Sequence, residues 1–175
     1  MIISVFSIMK ITIITVGKLK EKYLKDAVAE YSKRLSKYCK LEIIEVADEK
    51  TPDTASEVVE NQIRQKEGER ILKYVKEDAY VITLEIGGAM LDSVEFSKKI
   101  QQLGVQGKSH IIFIIGGSIG LGTEVLKRCT KLLCTLSSNC YTTNKHTRSR
   151  GAAAIRVITR SLLRFNVRSI ITIQR

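Results

Sequence analysis

Five consecutive residues, Ile111-Ile112-Phe113-Ile114-Ile115, are β-branched or aromatic, and four glycines, Gly116, Gly117, Gly120 and Gly122, then fall within seven positions. A run that is apolar throughout and too short for a buried helix predicts a strand covered on both faces. Glycines at its end let the backbone turn sharply and approach a ligand closely, because no Cβ intervenes. Leu121 to Lys127 then reads as a helix start. A strand, a glycine turn and a helix in series is how α/β domains hold nucleotide-like cofactors. The competing reading is a tight strand-to-helix turn that binds nothing.

Two familiar phosphate loops are excluded. No Gly-Lys-Ser/Thr follows at the spacing of a Walker loop, and the four glycines do not fit Gly-x-Gly-x-x-Gly from any starting point. The strand also comes late in the chain, which argues against a first-strand dinucleotide site.

Upstream, strands and helices alternate. Met9 to Val16 is β-branched and ends at Gly17, predicting a first strand. Lys20 to Lys37 carries Leu24, Val28, Tyr31 and Leu35 at helical spacing. Leu41 to Val46 predicts a second strand, and Thr51-Pro52-Asp53-Thr54, holding the only proline, predicts a loop. Ser56 with Glu57 and Glu60 marks a helix start with acids favoured by the dipole. That helix is expected to reach about Lys76 through Val59, Ile63, Ile71 and Leu72. Tyr80 to Ile86 predicts a third strand ending at Gly87-Gly88, and Ser93 caps a helix to Leu103 before Gly107 turns into the Ile111 strand. This order predicts an α/β domain with a mostly parallel sheet and helices on both sides.

At 175 residues the chain suits one domain with a substantial core. Met1 to Val16 is too short and too polar to span a membrane and lacks a signal peptide's basic start, so no membrane association and a cytoplasmic location are expected. Cys39, Cys129, Cys134 and Cys140 show no Cys-x-x-Cys spacing, and only His110 and His146 exist. Free thiols and no metal are therefore expected.

The net charge of +11 is unevenly spread. All 18 acids lie at or before Glu124, whereas Arg128 to Arg175 holds 10 basic residues and no acid. Arg156, Arg160, Arg164 and Arg168 recur every four residues. Three readings stand beside one another. They are the solvated face of a last helix over Ile155, Ile158, Leu162 and Leu163, an RNA phosphate track, and a segment never selected as protein.

Several segments in order carry a family resemblance: Val16-Gly17-Lys18-Leu19-Lys20-Glu21-Lys22-Tyr23, Ile44-Glu45-Val46, Lys66-Glu67-Gly68 before Ile71-Leu72, Leu84-Glu85-Ile86-Gly87-Gly88, and Phe113 to Leu121. Together they make the chain similar to the ribosomal RNA large subunit methyltransferase H family, of SPOUT class. The resemblance implies transfer of a methyl group from S-adenosylmethionine to the ring N3 of a pseudouridine in 23S rRNA, in the large ribosomal subunit or the assembled ribosome. It implies a SPOUT-type parallel-sheet domain with a C-terminal trefoil knot, an exception to the usual connection rules. It also implies a homodimer with the site at the subunit interface. Three knot loops would hold the cofactor, matched by Leu84, by Gly116, and by the stretch Thr135, Leu136, Ser137, Ser138, Asn139 and Cys140. No catalytic side chain is assigned.

The resemblance covers roughly Met9 to Lys127, and the SPOUT methyltransferase domain is expected to span residues 9–134. Residues 1–8 are expected to be an extension upstream of a native start at Met9, and residues 135–175 an atypical basic tail. The family's Phe-Pro-His-Gln-like turn, its Tyr-Arg pair and its closing Tyr-His-Lys are absent there, which suggests a reading-frame change near Cys134. A tail altered in this way would put knotting and activity in question. The alternative functions are therefore a non-catalytic basic RNA-binding protein and an inactive frameshifted product.

Overall fold

The computed structural model describes residues 9–134 except Lys20, Asp53 and Asp92. The nine elements run β1 (Lys10–Val16), α1 (Lys22–Leu35), β2 (Lys40–Val46), α2 (Glu57–Leu72), β3 (Tyr80–Met90), α3 (Ser93–Val105), β4 (His110–Ile115), α4 (Thr123–Arg128) and β5 (Lys131–Cys134). The strands form one parallel sheet in the order β2-β1-β4-β3-β5. Parallel neighbours need long crossovers, and helices supply them.

Strand composition follows sheet position. β4 and β1 are central, and all but their first residues are buried, as expected for strands covered on both faces. β2 lies at an edge of the described sheet, and its Glu42 and Glu45 keep that strand polar and partly exposed. The helices divide between two faces. Val28 and Leu35 of α1 and Phe96, Ile100 and Leu103 of α3 pack with Ile11, Ile13, Ile82, Ile111, Phe113 and Ile115. Ile71 of α2 and Val125 of α4 pack on the opposite face with Ile14, Val16, Val46, Val81, Ile112 and Ile114. The expected parallel α/β sheet with helices on both sides is therefore present.

Four details differ from the sequence expectations. β3 does not stop at Gly87-Gly88 but continues to Met90, because Ala89 and Met90 pair with Leu133 and Cys134. The register slips between Leu84 and Ala89, which both face Leu133, so the two glycines lie in an irregular strand segment rather than at a strand end. A fifth strand, Lys131–Cys134, occupies a stretch too short to show a period. α2 ends at Leu72, and Ser56 holds its N-cap position without a side-chain cap bond, leaving the first-turn acids Glu57 and Glu60. Finally, Val59 and Tyr31 are not buried, and the inner face of α2 instead includes Glu67 and Gly68.

No helix among the described residues is long and apolar enough to cross a membrane. Phe113 is fully buried in the centre of the sheet, its ring 5.8 Å from that of Phe96. Phe113→Ala is expected to lower unfolding stability by about 3–5 kcal/mol, read from urea denaturation followed by circular dichroism.

Candidate functional site

The site is built by register. β3 pairs with β4 so that Leu84 faces Ile115, and it pairs with β5 so that Leu84 also faces Leu133. Because all three strands are parallel, their carboxyl ends share one edge, and the residues following each strand emerge there. The chain leaves β3 for α3 on one face of the sheet and leaves β4 for α4 on the other, so a crevice opens between these strand ends. The β2/β1 and β1/β4 pairs also send their helices to opposite faces. Topology therefore permits three crevices, and the glycine turn distinguishes the one beside Leu84.

Leu84 is 8% exposed, and its side chain belongs to the α1/α3 core. It can meet a ligand only through its backbone. After Ile115 the chain folds back on itself, with Gly117 and Gly120 forming an antiparallel bridge and the Gly120 N–H donating to the Gly117 carbonyl at 3.3 Å. Gly120 has φ +87°, a left-handed conformation that a side chain would strain. A Cβ at Gly116 would lie 3.0 Å from both Gly120 C and Leu121 Cγ. The turn is thus as tight as glycine allows, and Gly116 and Gly117 remain half-exposed.

Two carboxylates hold the turn that the sequence reading did not assign to it. Glu85, the residue after Leu84, accepts the Leu121 N–H at 3.1 Å and so ties the turn's exit to β3. Glu67 of α2 is buried behind Gly117. Adjacency to Leu84 could have flagged Glu85, and its place in the Lys66-Glu67-Gly68 motif could have flagged Glu67.

Of the expected cofactor residues, Leu84 and Gly116 are brought together. Thr135, Leu136, Ser137, Ser138, Asn139 and Cys140 lie outside the described residues, although β5 ends at Cys134 on the same edge. No group of His, Cys, Asp and Glu that could hold a metal ion occurs among the described residues. Cys39 is buried against the core, and burial pushes its thiol up to about 11, which makes it a poor nucleophile.

The other polar cluster is on β1, β2 and β4. Thr12 Oγ1 is 3.0 Å from His110 Nε2 and donates to Glu42 at 3.4 Å, while Lys10 pairs with Glu42 at 2.7 Å. The hydrogen bond and charge of Lys10 hold Glu42 below the usual carboxylate range. Burial, reinforced by the Lys10 charge, pushes His110 down. Glu42 bonds to the threonine and not to the imidazole, so this cluster fastens three strands and lacks the order of a nucleophile relay.

The glycine edge offers backbone groups beside apolar walls, with its nearby carboxylates occupied in holding the fold. That arrangement suits a cofactor that brings its own chemistry. Residues 9–144 match the SPOUT methyltransferase family model. A Clostridium kluyveri protein named ribosomal RNA large subunit methyltransferase H is 61% identical over 126 residues, covering 72% of this chain and 79% of the relative. A Bifidobacterium adolescentis protein of the same name is 62% identical over 125 residues, covering 71% and 79%. The crystal structure of a methylase family protein from Neisseria gonorrhoeae shares the fold at TM-score 0.51 and 13% identity, over 90% of this chain and 83% of that one. A match of this extent, on a parallel sheet that brings Leu84 and Gly116 to one edge, means that the chain belongs to the SPOUT methyltransferase family.

Proposed function

We propose that this chain methylates ribosomal RNA, taking the methyl group from S-adenosylmethionine and placing it on the ring N3 of a pseudouridine in the 23S rRNA of the large ribosomal subunit. Family membership implies a methyl-donor cofactor, and the relatives described above carry the name of a large-subunit rRNA methyltransferase. The observation that carries the reading is the register that sets Leu84 beside Ile115, immediately before the glycine turn.

The edge fits such a donor. Backbone groups at Leu84 and Gly116 are suited to the polar rim of an adenine, as they can hold it without a charged side chain. Residues 135–140 would close the third side. When bound, S-adenosylmethionine supplies an already activated methyl group. The chain's own work is then to fix the donor and align the acceptor nitrogen. The working form in this reading is a homodimer, in which residues 9–134 form the methyltransferase domain and residues 135–175 an atypical basic tail. Ten basic residues and no acid from Arg128 onward suit contact with rRNA phosphates. The same charge favours the second reading, a non-catalytic RNA-binding protein.

Calorimetry with S-adenosylmethionine is expected to show saturable binding, and large subunits lacking the modification are expected to accept labelled methyl groups. Salt-sensitive RNA binding with no donor binding would favour the second reading instead. Gly120→Val forces a branched side chain into a left-handed position, at a cost of about 1–3 kcal/mol. Donor affinity is accordingly expected to fall about tenfold or more, read by the same calorimetry, with β-sheet circular dichroism retained.

A further inference from the structure

The Lys66-Glu67-Gly68 segment is part of the family resemblance, yet the pocket described above gives it no task. Glu67 lies within α2 and is 4% exposed. A buried carboxyl is costly unless hydrogen-bonded. Its Oε1 accepts the Glu49 N–H at 3.0 Å, while its Oε2 is buried without a hydrogen-bond partner. That oxygen lies against the glycine turn, since a Cβ at Gly117 would stand 3.1 Å from Oε2 and 3.2 Å from Val16 Cγ1.

Arg70, whose charge reaches Glu67, is engaged elsewhere. Arg70 donates to the Ala47 carbonyl at 2.8 Å and pairs with Glu49. Burial pushes Glu67 above the usual carboxylate range. Asp48 and the Glu49 side chain add to this, and the Glu49 N–H and Arg70 oppose it. The same face of α2 receives the turn's exit: a Cβ at Gly122 would meet the Arg64 carbonyl oxygen at 2.9 Å, and one at Gly68 would meet Val125 Cγ2 at 3.2 Å. Arg64, Glu67 and Gly68 stand at i, i+3 and i+4, one contiguous patch on the helix.

We propose that Glu67 is a positioning residue for the donor pocket: its buried carboxyl seats the Gly116–Leu121 turn on α2 and ties that turn to the 47–50 loop after β2. It does not touch the donor. It sets where the turn's backbone stands, and a Cβ at Gly117 would press on both that carboxyl and Val16, each of which would have to give by a few tenths of an ångström. The inference rests on the pocket reading for its link to the donor, whereas the seating itself is a property of the free protein.

The test uses the full chain and the variants Glu67→Ala and Glu67→Gln. Glutamine reproduces a neutral carboxyl, keeping an oxygen to accept the Glu49 N–H. The first readout is hydrogen exchange of the Gly120 and Leu121 amides, which bond to the Gly117 carbonyl and the Glu85 carboxylate rather than to Glu67. Glu67→Ala is expected to speed exchange at these amides about tenfold relative to β1 and β4, and Glu67→Gln to stay within about threefold of wild type. The second readout is S-adenosylmethionine affinity by calorimetry, expected to fall about tenfold in Glu67→Ala and to be rescued in Glu67→Gln.

The third readout is pH. A carboxyl whose folded pKa is raised contributes stability that is fully present below its unfolded value and is lost as pH rises through the folded value. Glu67→Gln should flatten that decline in melting temperature. Unchanged turn exchange in Glu67→Ala overturns the proposal, as does acceleration spread equally over the whole sheet. A wild-type chain that binds no donor overturns the pocket reading alone, and the exchange comparison still decides the seating.

Discussion

β4 is hydrogen-bonded on both edges and covered on both faces. Beyond its first residue, His110, a strand in that position has no contact with water, so Ile111 to Ile115 are all apolar and its backbone must be fully paired. Its partners β1 and β3 run parallel to it, which obliges the chain to return across the sheet each time through a helix. Two helices then cover each face, and every strand delivers its following loop to the same edge. The location of the site is a consequence of this central strand. The lining of the candidate site comes from the few residues placed immediately after the strands.

The glycine turn shows how such an edge is made firm without being filled. It is held from β3 by Glu85 and backed on the α2 side by Glu67. Both carboxylates serve the backbone, and the half-exposed glycines stand at the surface of the turn beside the exposed Ser118. Surface ion pairs such as Arg34–Glu30 and Lys127–Glu124 are largely exposed and contribute little by comparison.

Most of the sheet could be read from the chain because its signals are local. Ile111 to Ile115 is apolar at every position, and α1 repeats its buried leucine and valine at helical intervals. Leu84 and Gly116 were found through the family resemblance, and the strand pairing brings them together. What was missed depends on contacts distant in sequence. Lys131–Cys134 is a strand because β3 offers it an edge, and β3 runs through Gly87-Gly88 because β5 pairs beyond them. Glu67 looks like one more solvated charge on an acidic and basic helix, since nothing nearby in sequence reveals that Gly117 and the 47–50 loop will close over it.

The outermost position of β5 has a bearing on the order of assembly. Its partner on β3 precedes it by nearly fifty residues, with α3, β4 and α4 in between. During synthesis the amino-terminal strands emerge first, so β1, β3 and β4 can pair while Lys131–Cys134 is still within the ribosome's exit path. The glycine turn can therefore be in place before the strand beside it arrives, and the edge that gathers Leu84 and Gly116 can be the last part of the described sheet to be completed.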